Sequence, residues 1–206
     1  SFQAKLSLNI CQLYNAGGCC QEKKSTVLMA TEVEAVLSGA VQKPHAVYLT
    51  SPDYLGNVLD IASLAKVCKR HGVPLLVDNA HGAYLNFLGK SAHPISLGAD
   101  MCSDSAHKTL PVLTGGAYLH ISDRCPQQML SMAKNAMVIF GSTSPSYIIM
   151  QSLDMANAYI ADGYIEKLNS FTAVLDVTKD KLVQQGFVLT GAEKRKITLC
   201  AKAYGY

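Results

Sequence analysis

The sequence predicts an α/β fold, a mainly parallel sheet with helices on both faces, on three observations. Two short apolar runs rich in β-formers, HAVYLT (45–50) and VPLLVD (73–78), flank a segment of different period. In that segment, DIASLAKVCKRHG, the apolar positions Ile61, Leu64, Ala65 and Cys68 recur at helical spacing. The strands are continuously apolar, and strands of that kind joined through a helix belong to a parallel sheet covered on both sides.

The elements follow in order. NAGGCC (15–20) is turn-like and rich in small residues. Thr31 and Glu34 have capping-box spacing, which predicts a helix starting at Thr31. Asp60 suits the N-cap of the next helix, Lys69 and Arg70 its last turn, and Gly72 the position just past its end. GADMCS (98–103) and GGAYLHI (115–121) are further strands. From about Asp123 the pattern turns helical. Residues 144–168 form one long helix or two joined near Gly163, with Pro145 accommodated in the first turn. The helical pattern resumes in FTAVLDVTKDKLVQQG and stops at Gly186. FVLTG and KITLCAKAYGY then resemble strands of a second, smaller layer.

Composition narrows the function. The chain has 206 residues, 49% hydrophobic and 16% charged, with a net charge of +3. Its one basic block, EKRK (193–196), reads as a solvated strand edge or loop, so no nucleic-acid partner is expected. No apolar run has the length to span a bilayer, and SFQAKLSLNI lacks the charge-then-apolar pattern of a signal peptide, so no membrane partner is expected. Seven cysteines are scattered without a C-x-x-C pair, which favours a reducing cytoplasm and thiols that act as small buried hydrophobes. No His/Cys group has ligand spacing, and no metal is expected.

The chemistry concentrates at strand ends. Asp78 closes one strand and Lys108 follows the next by a few residues, with His81 and His107 in the same two loops. In open α/β sheets ligands bind at the carboxyl ends of strands. Asp78 is there either to cap the following turn or to face a ligand. Two such loops, each with an ionisable residue and a histidine, point to a site.

At this point three stretches together resemble the large domain of the Orn/Lys/Arg decarboxylase family. They are SPDYLGNVLDIASLAKVCKRHGVPLLVDNAHGAYLNF, GADMCSDSAHKTLPVLTGGAYLHI and GSTSPSYIIMQSLD. The resemblance is in register from about Val47 to Asp154, and it implies the aspartate-aminotransferase-like fold type I of enzymes that use pyridoxal 5′-phosphate (PLP). By that resemblance Lys108, in S-x-H-K, holds the cofactor as a Schiff base, and Asp78, in D-x-A-H, pairs with its pyridine nitrogen. Ala80 packs against the ring and His81 lies near it. Ser105 bonds the phosphate. His107 sits beside the linkage, to position the substrate carboxylate or move a proton. Ser142 and Thr143, ahead of a helix, are phosphate candidates across a subunit interface, with plain N-capping the alternative. Ser51 to Tyr54 line the pocket or simply make a strand-end turn.

The resemblance implies a decarboxylase of lysine, ornithine or arginine that yields CO2 and a polyamine precursor. The alternatives are another fold type I enzyme, an aminotransferase or a lyase, or a non-catalytic fragment serving as scaffold. Residues 1–165 would be the PLP-binding large domain, truncated at its N-terminus. Residues 166–206 would lead toward a small C-terminal domain expected to be absent. The family's phosphate loop and ring-stacking residue have no counterpart before Val47. A cytoplasmic homodimer or higher homo-oligomer, with an amino acid as its small-molecule substrate, completes the expectation.

Overall fold

The computed structural model describes residues 10–12 and 28–205. NAGGCC and most of the opening segment lie outside them. A five-stranded sheet runs in the order β1 (Ile10–Gln12), β2 (Ala46–Thr50), β3 (Leu75–Asp78), β4 (Met101–Asp104) and β5 (Tyr118–Ile121). The first four strands are parallel and β5 is antiparallel to β4. All the strands expected between residues 45 and 121 therefore form.

Two helices cover one face of the sheet, α1 (Ala30–Gly39) and α2 (Ile61–Arg70). Val47, Leu49, Leu75, Val77 and Cys102 point into a core with Val33, Leu37, Leu64 and Val67 from those helices. The intervening positions Tyr48, Leu76 and Asp78 are only half-buried and Thr50 is exposed, so the two faces differ in burial. Helix α2 begins as expected: the Asp60 carboxylate accepts the Ser63 amide at 3.1 Å and the Ser63 hydroxyl at 2.6 Å. Gly72 follows its end with φ +61, a conformation glycine adopts without steric cost. Helix α1 starts earlier than expected. Its N-cap is Met29, whose amide donates to Glu32 at 2.8 Å, and Thr31 lies inside the first turn. The Thr-x-x-Glu spacing was real, but a Glu three residues after Met29 satisfies the same orphan amide.

The chain then runs through a 3₁₀ turn (Ala83–Phe87), the short helices α3 (Pro94–Leu97) and α4 (Ala106–Thr109), and three longer helices. These are α5 (Gln127–Phe140), α6 (Tyr147–Ala161) and α7 (Tyr164–Gln184). The two-helix reading holds, with the joint at Gly163. Pro145 precedes the N-cap Ser146 and lies outside the first turn. A second core gathers Tyr84, Leu85, Ala106, Leu110 and Leu168 where the 3₁₀ turn, α4 and α7 meet. The chain ends in a two-stranded antiparallel sheet, β6 (Leu189–Thr190) and β7 (Thr198–Leu199). Residues Ala201–Tyr204 form a 3₁₀ turn instead of prolonging the strand. Cys68, Cys102 and Cys125 are free and buried. Among the described residues no helix is long and apolar enough to cross a membrane.

Candidate functional site

Register aligns the ends of three parallel strands. Thr50 pairs with Asp78 and Asp78 with Ser103, so the loops that follow β2, β3 and β4 open at one edge. The ladder continues past the strands, with Ser51 N bonded to Asp78 O and Asn79 N to Ser103 O, each at 2.9 Å. Asp78 both caps and faces outward. Its Oδ1 accepts the Ala80 amide at 3.1 Å, while Oδ2 accepts the Tyr48 hydroxyl at 3.3 Å. Partial burial, and then the negative charge of Asp78, raises the Tyr48 pKa, so the phenol keeps its proton and goes on donating.

The residues of the next loop collect around Asp78. His81 is half-buried, with the Tyr54 ring edge-on at 5.7 Å. Its Nδ1 is buried and has no hydrogen-bond partner among the described residues. Desolvation first, and then the positive charges of Lys108, Lys196 and Arg195, push the His81 pKa down; Asp78 opposes them. One imidazole thus feels both the carboxylate and the lysine singled out in the sequence. Lys108 is exposed, and its Nζ makes no hydrogen bond or ion pair among the described residues.

His107 Nδ1 lies 3.0 Å from the Gly116 carbonyl. A carbonyl only accepts, so Nδ1 carries a proton and Nε2 of a neutral ring is the basic nitrogen. Ser105 occupies the N-cap position of α4, but its hydroxyl makes no capping bond. Ser51 is buried, and its hydroxyl accepts the Leu59 amide at 3.0 Å, so it serves the turn. Ser142 and Thr143 lie in the exposed α5–α6 connection. There Ser142 Oγ accepts the Ser144 amide at 3.1 Å, and no hydrogen bond joins either residue to the Asp78–Lys108 group.

The segment EKRK is a loop, one of the two forms expected, but only Lys194 in it is exposed and the rest packs against the site. Glu193 is 2% exposed, and Ala192 N and Glu193 N both donate to Gly56 O. The Lys194 amide donates to the hydroxyl of Tyr84, a fully buried residue, at 3.0 Å. Arg195 reaches the Lys108 carbonyl at 3.4 Å, and Lys196 Nζ donates to Tyr54 O at 2.6 Å. Gly191 allows this close approach: at φ +78, a Cβ there would lie 2.4 Å from Leu55 O. Arg195, Lys196 and Tyr48 are the members of the site that sequence reasoning missed. Alternation along β2 could have found Tyr48, which points the same way as Thr50.

A second polar group occupies the opposite face of β4, because Asp104 alternates with Ser103. His93 Nε2 and His120 Nε2 lie 3.0 and 3.2 Å from Asp104 Oδ2. Asn79 Nδ2 donates to Asp104 Oδ1 at 2.7 Å. A cavity of about 370 Å³ lined by His93, Asp104, Tyr118, His120 and Asn157 opens beside them.

Three aligned strand ends on a mainly parallel sheet, with their loops opening at one edge, make this an α/β protein with a candidate site where such sheets bind ligands. Residues 18–197 match the Orn/Lys/Arg decarboxylase major domain, and the chain belongs to that family. It is 42% identical over 115 residues to the uncharacterised protein YaaO of Bacillus subtilis, covering 54% of this chain and 23% of YaaO. It is 29% identical over 158 residues to the arginine decarboxylase of Halalkalibacterium halodurans, covering 73% of this chain and 31% of that enzyme. The chain thus spans between a fifth and a third of the length of these relatives. In fold it is similar to pyridoxamine-pyruvate aminotransferase from Mesorhizobium loti, with a TM-score of 0.62 and 19% identity over 83% of this chain and 47% of that one. Alanine–glyoxylate aminotransferase from Nostoc sp. is similar to the same degree, with a TM-score of 0.61 and 16% identity over 82% of this chain and 47% of that one. Family and fold are PLP-dependent and of fold type I.

Proposed function

We propose that this chain is the cofactor-binding large-domain portion of a PLP-dependent decarboxylase acting on lysine, ornithine or arginine. The observation that carries the reading is that Asp78, at the end of β3, and Lys108, in α4 just after the adjacent β4, both act on His81. These groups, with the partnerless buried Nδ1 of His81, fit the ring end of PLP. Lys108 would hold the cofactor covalently. The Asp78 carboxylate, oriented by the Tyr48 hydroxyl and the Ala80 amide, would keep a proton on the pyridine nitrogen. Ala80 and His81 would flank the ring, and the Ser105 hydroxyl, which makes no capping bond, would take a phosphate oxygen. Bound there, the cofactor supplies an electron sink for the pair left on Cα when the carboxylate departs as CO2.

The chain's own residues would do the rest. His107, fixed through Nδ1, would present Nε2 to move a proton at Cα. Arg195 and Lys196 add positive charge where a substrate carboxylate would enter. Ser142 and Thr143 would serve only across an interface with a second copy. Such a copy suits the apolar residues exposed on α5 and α6, among them Ile139, Phe140, Tyr147 and Ile148. A homo-oligomer and a cytoplasmic compartment complete the proposal.

The test is direct. PLP is added, the visible spectrum recorded, and the linkage reduced with borohydride and mapped by peptide mass. A pyridoxyl group on Lys108, lost in Lys108→Ala, supports the reading; no cofactor band at saturating PLP overturns it for this chain. Release of CO2 from lysine, ornithine or arginine then identifies the substrate. The alternative reading is a scaffold that binds the cofactor without turnover. Cofactor on Lys108 with no CO2 from any of the three would select it.

A further inference from the structure

The opposite face of β4 carries a second site. His93, Cys102 and Asp104 are all buried, and one ligand-capable atom from each lies within 4.8 Å of the others. Cys102 Sγ stands 3.7 Å from both His93 Nε2 and Asp104 Oδ1. His120, the register partner of Cys102 on β5, brings a second imidazole to 3.2 Å from Asp104 Oδ2. We propose that His93, Cys102 and Asp104 form a binding site for one divalent transition-metal ion of the zinc class, with His120 bonded to the Asp104 ligand and the fourth position open toward the cavity.

The donor spacing is that of such a site. Tetrahedral bonds of about 2.0–2.3 Å to N, O and S put neighbouring donors roughly 3.3–3.7 Å apart. His93 Nε2 lies 3.0 Å from Asp104 Oδ2 and 3.7 Å from Cys102 Sγ, and the three donors all fall within 4.8 Å of one another. An imidazole, a thiol and one carboxylate select zinc, cobalt or a similar ion; magnesium and calcium require oxygen donors. A hydrogen-bonded acid needs only its two histidines and Asn79. The thiol donates a long hydrogen bond to Asp104 Oδ1 at 3.7 Å, and as a thiolate it would complete a ligand set.

The surroundings also suit a metal. Cys102 and Asp104 come from one strand, His120 from its antiparallel neighbour, and His93 from the N-cap of α3, where Pro94 fixes the backbone that follows. Asn79 Nδ2 holds the carboxylate oxygen opposite the histidines, the outer hydrogen bond that orients a ligating carboxylate. Three donors are closed in, while His120 is 40% exposed at the edge of the cavity and leaves an entry path. An ion there would tie β4, β5 and α3 together behind Asn79, the residue next to Asp78. The site is independent of whether PLP binds.

The experiment uses the full 206-residue chain, stripped with a chelator and titrated with cobalt(II) under anaerobic, reducing conditions. One equivalent should bind, with the visible bands of tetrahedral cobalt and a near-ultraviolet thiolate-to-cobalt band. Cys102→Ser should abolish the thiolate band, and Cys125→Ser should retain it. His120→Gln should weaken binding on the order of tenfold or more. Zinc should raise the Tm of the wild type and not of a folded Cys102→Ser variant. No stoichiometric uptake, or a thiolate band that survives Cys102→Ser, overturns the proposal. Should that variant fail to fold, the wild-type spectrum decides alone, and the absence of thiolate character is the overturning result.

Discussion

His81 is the residue through which the strand-end site reports its own charge. Burial and three cations hold its pKa below the ordinary histidine value. In Lys108→Ala one of those cations is gone, and the NMR titration midpoint of His81 should move up toward that value. An unmoved midpoint would show that the Lys108 side chain does not face the ring. The sign for stability follows from linkage. The folded pKa is depressed, so the stability is whole above the unfolded pKa and declines as pH falls toward the folded one. Acid should therefore weaken the wild type more than Lys108→Ala over that window, as urea unfolding at a series of pH values would measure. Asp78, His81, His107 and Lys108 were legible in the sequence because a strand end and the loop after it are local. Arg195 was not, since it reaches the Lys108 carbonyl from 87 residues away. The group His93, Cys102, Asp104 and His120 was hidden for a related reason. Its spacing looks random along the chain, and only strand pairing and the placement of α3 bring it together.

At the scale of elements, α2 was the most legible part of the molecule, because its cap, its apolar face and its terminal glycine agree. Asp60→Ala should cost about 1 kcal/mol at neutral pH, the usual value of a lost N-cap. Hydrogen bonds from Ser63 hold the Asp60 carboxylate below its ordinary pKa. Its stabilisation is present above the unfolded-state pKa and fades as pH falls through the folded one, so variant and wild type should converge in acid. Leu64, fully buried where α2 meets the sheet, should cost about 2–5 kcal/mol when cut to alanine. Urea denaturation measures both. The α1 start was misjudged because two overlapping S/T/M-x-x-Glu spacings compete for one helix end, and backbone entry decides between them. The last strand was overextended because AKAYGY has no local signal that distinguishes a 3₁₀ turn from an extended edge.

For the whole molecule, the α5–α6 surface bears on assembly. Phe140 is 89% exposed and Tyr147 83%, an arrangement that a second copy would cover. Light scattering should find a dimer or larger species, and Phe140→Asp should shift it toward monomer; a monodisperse wild-type monomer would contradict the assembly. One hydrogen bond also joins segments about half the chain apart. Tyr84→Phe removes the acceptor of the Lys194 amide, and limited proteolysis should then cut residues 187–205 sooner than in the wild type. The same bond bears on the order of synthesis. The Tyr84 hydroxyl leaves the ribosome 110 residues before the amide that binds it. Until then the loops that carry Asp78 and Lys108 have no cover from Arg195 and Lys196, so the electropositive rim of the site is completed only well after both loops have been made.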